Sequence, residues 1–141
     1  MIKKRIFAIL IVLSLLLSVC GIAAMAVEAR ASVTLLYYNA ILTEGNSSGE
    51  LEITYDVQAN TRADKVGVSN VKIYKSDGSY VTTINGSVNN GMLEEDTSRH
   101  RSSCFYNGTS GTYYYAVVTV TATIGSDSDS REITTSTVKA P

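Results

Sequence analysis

The sequence predicts an all-β protein: a single sandwich of about seven antiparallel strands, preceded by an N-terminal signal helix. Three observations lead there. Apolar and polar residues alternate with period two over long stretches, as in a strand with one dry face. Clusters of Asn, Gly, Ser and Asp punctuate those stretches, and no segment of useful length repeats at the helical period. Residues 1–31 differ in composition from everything that follows.

The leader comes first in the chain. Met1 to Arg5 is a short basic head, Ile6 to Val27 is almost unbroken apolar sequence, and two small-residue exits follow, Ala24-Met25-Ala26 and Ala29-Arg30-Ala31. Basic head, apolar middle and A-x-A exit describe a secretory signal peptide. The expected organisation is therefore a signal peptide over 1–31, cleaved after Ala26 or Ala31, and one β-sandwich domain over 32–141. Two other readings stand beside it. The run from Ile6 to Val27 is also long enough to span a bilayer if it is not cleaved. Leu17-Ser18-Val19-Cys20 resembles a lipoprotein box, although Val19 is bulky where a small residue belongs. Each reading leaves the domain outside the cytoplasm, with Lys3, Lys4 and Arg5 inside.

Cleavage alters the chemistry of what remains. The full chain has a net charge of −1, and removal of residues 1–31 leaves −4 on 110 residues. A mildly acidic domain argues against a nucleic-acid or anionic-membrane partner. Cys20 leaves with the leader, so Cys104 is alone and no intramolecular disulfide can form. It reads as a small buried hydrophobe, with an intermolecular disulfide as the sharper option.

The strands follow in order. Val33–Leu42 is apolar on both faces and reads as the first. Leu51, Ile53, Tyr55, Val57 and Ala59 alternate with polar residues and form the second. Val68–Lys75 turns Val71 and Ile73 inward. Ser79–Ile84 pairs with it through Ser76-Asp77-Gly78. Arg101–Tyr106 carries Cys104 on one face. Thr112–Ile124 is built from β-branched and aromatic residues, with Tyr114, Ala116, Val118, Val120 and Ala122 toward the core. Glu132–Val138 alternates weakly, as a last or edge strand does. The best helical candidate is one turn near Met92–Thr97. A single flat sheet would leave one apolar face wet, so two layers are expected.

Gly111-Thr112-Tyr113-Tyr114-Tyr115-Ala116-Val117-Val118 resembles the penultimate strand of bacterial immunoglobulin-like and fibronectin type III-like domains. That resemblance implies an immunoglobulin-like sandwich in which one of Tyr113 to Tyr115 serves as the tyrosine corner. The antibody hallmarks, a Cys pair and a core Trp, are absent. The whole chain also resembles small secreted proteins of Gram-positive bacteria, in which a leader precedes one Thr/Ser-rich sandwich. The resemblance implies fold and location and brings no catalytic residue with it.

The search for chemistry is mostly negative. His100 is the single histidine, and it reads as a solvated residue between Arg99 and Arg101. In a strand it would stand about 13 Å from Cys104, too far for a Cys/His pair. One His and one Cys cannot build a structural zinc site. Glu94-Glu95-Asp96 and Asp127-Ser128-Asp129 gather hard oxygen donors on expected loops without the spacing of a known calcium loop. Nine tyrosines and no Trp are the most suggestive surface feature. Tyr37, Tyr38, Tyr74, Tyr80, Tyr113 and Tyr115 are expected to face outward, and exposed tyrosines stack on sugars or anchor protein interfaces. Tyr113, Tyr115, Tyr37 and Tyr38 are the candidate binding surface.

The expected function is thus a secreted, non-enzymatic β-sandwich with no cofactor or metal. It would bind a cell-envelope component, a protein partner or itself. The alternative is a small carbohydrate-binding module that works through tyrosines.

Overall fold

A computed structural model describes residues 32–141 of the chain; the expected signal helix and its cleavage sites lie outside the described residues. The described residues are all-β and contain no helix. The strands are β1 (Leu35–Glu44), β2 (Glu50–Lys75), β3 (Tyr80–Asn85), β4 (Leu93–Asn107), β5 (Tyr113–Ile124), β6 (Asp127–Thr134) and β7 (Val138–Lys139). Every pairing is antiparallel.

The seven strands form one curled sheet, not two separate sheets. The cause is β2, which runs for 26 residues. Its first half pairs with β1 on one side and with β4 on the other. Its second half pairs with β5 and β3 and, from Ala63 to Gly67, with the start of β4, and β5 in turn carries β6 and β7. The predicted count of seven was reached by a different division. The expected strands at 50–60 and 68–75 are one strand, and the expected last strand is divided between β6 and β7.

The core lies inside the curl. From β2 it takes Leu51, Ile53, Tyr55, Val57 and Ala59, and from β5 it takes Tyr114, Ala116, Val118, Val120 and Ala122. These are the two alternating sets read from the sequence. Burial of such side chains stabilises the fold by roughly 1.5–3 kcal/mol for each large one. Two register breaks let β2 serve both halves. One lies between Gln58 and Ala63 against β4, and the other between Val68 and Asn70 against β5. Against β4, residues 59–62 of β2 stand opposite Ser98 alone; against β5, the single extra residue Ser69 switches which parity faces inward. Leu51, Ile53, Tyr55, Val57, Ala59 and Ala63 are buried at odd positions, with Thr61 half-buried between the last two; Val66 and Val68 follow at even positions, and Val71 and Ile73 resume the odd series.

Gly67 sits where this switching strand meets the chain entering β4. Its φ is 143°, and a side-chain carbon there would collide with the Met92 carbonyl oxygen. That oxygen accepts the Val68 N–H at 2.8 Å. Only glycine combines this conformation with this approach.

The expected helical turn at Met92–Thr97 is not present: from Leu93 onward those residues belong to β4. Glu94 and Glu95 pair with Val66 and Lys65 of β2, so the local preference for a turn yields to ladder pairing. Asp127, Ser128 and Asp129, expected on a loop, lie in β6. The turn shrinks to Gly125-Ser126, because Ile124 already pairs with Asp127.

Candidate functional site

The outward side of β1, the first half of β2 and the second half of β4 forms an ordered array. Tyr37, Gln58 and Arg99 stand in one cross-strand row; Asn39, Asp56 and Arg101 in the next; Ile41, Thr54 and Ser103 in the third; Thr43, Glu52 and Phe105 in the last. On β2 each of them alternates with a core residue, and their cross-strand partners on β1 and β4 share that outward parity, so the pleat projects all of them to one side.

Asp56 occupies the centre. Arg99 donates from Nε to Asp56 Oδ1 at 2.9 Å and from Nη2 to Oδ2 at 2.6 Å. Arg101 donates from Nε to Oδ2 at 2.8 Å. The Asp56 side chain is 15% exposed, whereas those of Arg99 and Arg101 are 43% and 68% exposed. The Arg99 hydrogen bonds, with Arg101 adding to them, hold the Asp56 carboxyl at about 2 despite an opposing effect of burial. One carboxylate therefore positions two guanidinium groups, and the cluster carries one surplus positive charge. An open groove of about 610 Å³ lies against it. Tyr37, Asn39 and Ile41 form one wall, Thr54 and Asp56 the floor, and Arg101 and Ser103 the other wall.

The candidate tyrosines do not share one surface. Tyr37 faces outward beside the groove, 47% exposed, while Tyr38 points to the opposite side of β1 and is 39% exposed. Tyr113 and Tyr115 lie on β5, in the other half of the curl. The Tyr115 ring stacks on Tyr74 at 5.2 Å and 10°, and Tyr80 meets Tyr74 edge-on. The Lys139 ammonium sits over the Tyr113 ring. These rings are thus engaged with neighbours within the chain. Tyr114, between them, is buried, and its hydroxyl accepts the Thr109 N–H at 2.9 Å. Burial pulls this phenol's pKa upward, but hydrogen bonds from Thr109 and Thr112 outweigh it and leave the pKa below the ordinary value.

His100 departs from expectation. It is buried, not solvated, because its position on β4 alternates inward from Arg99 and Arg101. Its Nδ1 lies 2.7 Å from Glu94 Oε2, and its Nε2 lies 2.8 Å from the Gly91 carbonyl oxygen. Tyr55 donates its hydroxyl to that same oxygen at 3.2 Å. His100 therefore ties β4 to the turn that precedes it. Cys104 is a free thiol packed against the core, and burial pushes its pKa up to about 11.

Three of the five acidic residues considered for calcium are engaged by other groups. Glu94 meets His100, Asp96 meets Arg62, and Asp129 meets Arg131 and the Leu35 N–H. Among the described residues no three His, Cys, Asp or Glu side chains converge in a way that could hold a metal ion.

Sequence reasoning did not find the Asp56 cluster. The signal was present, since Asp56 lies outward on a regularly alternating strand and Arg99 and Arg101 share one parity. The pairing of β2 with β4, which joins them, is a long-range contact.

No protein-family model matches the sequence, and no curated protein matches it. Among solved structures, the chain is similar to a β-glucuronidase of Parabacteroides merdae, crystallised with glycerol in its active site. The identity is 11% and the TM-score 0.38, over 74% of this chain and 14% of that one. The chain thus spans a small part of that enzyme's length, and a likeness of this degree carries no argument.

Proposed function

We propose that this chain is an exported, non-enzymatic sandwich of immunoglobulin-like design that acts by surface contact, with the cell envelope as the first candidate for its partner. The observation that carries this reading is the outward face of β1, β2 and β4. It leaves Tyr37, Ile41 and Phe105 47%, 51% and 52% exposed around a fixed pair of arginines. Tyr, Phe and Arg are the residue types most concentrated in binding surfaces. The immunoglobulin-like assignment is supported by Tyr114, whose hydroxyl reaches back to the Thr109 backbone at the entrance of β5, the geometry of a tyrosine corner. The leader over residues 1–31 supports export. A surface role fits the engagement of both His100 ring nitrogens and the burial of Cys104, which keep these two residues from acting as a nucleophile and base pair.

The test is co-sedimentation of the full chain with isolated bacterial cell envelopes. Tyr37→Ala combined with Phe105→Ala is expected to reduce retention at least tenfold. Tyr80→Ala, on the other half of the sheet, is expected to leave it unchanged. Equal retention of all three proteins would refute the assignment of this face. Light scattering on the same samples tests self-association.

A further inference from the structure

The groove beside Asp56 has a composition that selects a ligand class. Its floor and walls offer the Asn39 amide, the Thr54 and Ser103 hydroxyls and the two terminal nitrogens of Arg101. Among the described residues none of these side-chain groups has a hydrogen-bond partner, Arg101 using only its Nε toward Asp56. Tyr37 and Ile41 supply an aromatic and an aliphatic flank. Backbone groups contribute little, because the groove crosses three strands that are already paired with one another. That disfavours an extended peptide, which binds sheets by adding to an edge ladder, and an amphipathic helix, which needs an apolar trough. A saccharide instead needs scattered amide and hydroxyl partners with one aromatic flank.

Charge narrows the class. Asp56 consumes Nε of both arginines and Nη2 of Arg99, so the outer fork of Arg101 is the open end of a cluster with one surplus positive charge. A guanidinium fork pairs with a planar carboxylate through two parallel hydrogen bonds. A monoanionic group balances the cluster. Glu52, two positions along β2 from Thr54 on the same face, repels an anion at the far end and so fixes which end of the groove takes the charge.

We infer that the groove formed by Tyr37, Asn39, Thr54, Arg101 and Ser103 binds a carboxylate-bearing saccharide, with Arg101 on the carboxylate and Tyr37 beside the sugar ring. This rests on the reading that the β1–β2–β4 face is the binding face. Asp56 and Arg99 act as positioning residues that hold the Arg101 stem in place.

The experiment is a calorimetric and NMR titration of the full chain with three probes: tetragalacturonate, its methyl ester, and tetraglutamate. Tetragalacturonate is expected to bind and to shift the amides of Asn39, Thr54 and Ser103. Binding should weaken at least tenfold on methyl esterification and on Arg101→Gln, and should weaken with added salt. Arg101 is largely exposed, so Arg101→Gln should fold, and an unchanged melting temperature verifies that. Equal binding of the ester, or insensitivity to Arg101→Gln, overturns the inference. Preference for tetraglutamate overturns it in favour of an acidic peptide. If no probe binds while envelope retention still depends on Tyr37 and Phe105, the ligand class is wrong and the binding face stands.

Discussion

Replacing Asp56 with Asn asks whether charge holds the arginine cluster together. In the folded chain three guanidinium N–H groups converge on one carboxylate. These hydrogen bonds hold its pKa at about 2, against an ordinary value of 3.8. Fully expressed as stability, that lowering is worth about 2.4 kcal/mol. The guanidinium groups are 43% and 68% exposed, and solvent screening reduces the expectation to about 1 kcal/mol. The sign follows from linkage. The folded state holds this proton less tightly than the unfolded chain, so the contribution is complete above the unfolded value. It is lost as pH falls through about 2. Asp77 and Asp96 are also held low, by Ser79 and Arg62 respectively, but both are common to the two proteins and cancel in the difference. The assay is urea unfolding of wild type and Asp56→Asn from neutral pH down to pH 1.5. Wild type should be more stable by about 1 kcal/mol near pH 6, and the gap should close below pH 2. A gap that stays constant with pH, or an Asn variant as stable as wild type near pH 6, refutes the reasoning.

Further outcomes follow from other positions. Gly67→Ala forces a methyl toward the Met92 carbonyl at a φ of 143° and should cost about 2–4 kcal/mol; thermal unfolding that matches wild type would contradict this. Tyr114→Phe deprives the Thr109 N–H of its acceptor and should cost about 1–2 kcal/mol, with faster amide exchange at Thr109 as the local readout. Cys104, its thiol pKa raised to about 11 by burial, should react with a thiol reagent at pH 8 about 100-fold more slowly than in urea. Equal rates would mean that the thiol is not packed as described.

The parts of the fold that were legible in the sequence are those where one period runs unbroken. Leu51 to Ala59 and Tyr114 to Ala122 each keep a single parity and a single dry face, so alternation identified both strands and their buried residues. The stretch from Asn60 to Lys65 was not legible. Five of its six residues are polar, and it passes the point where β2 leaves one half of the curl for the other, so it carries almost no alternation. Glu94 to Asp96 failed for a related reason, because β4 there pairs with β2 alone and its side chains face water. From the sequence, Arg101 reads as the start of a strand and His100 as a solvated residue before it; that β4 already includes Arg99 and His100, and which parity faces inward, depends on the register with Val57 and Asp56. The tyrosine count drew attention to aromatic rings as a surface. Tyr37, Tyr38, Tyr80 and Tyr113 are exposed, Tyr74 stacks on Tyr115 and meets Tyr80 edge-on, and of the four candidates Tyr37 stands beside the groove.

The length of β2 has a consequence for how the domain comes apart. A strand of 26 residues that is shared by both halves leaves no seam along which the structure could divide into smaller cooperative pieces. Neither half keeps its partners if β2 detaches, so opening at either end should propagate through the whole domain. Native-state amide exchange should therefore find the slowest protons of both halves, at Ile53 and at Val71, governed by one and the same opening event.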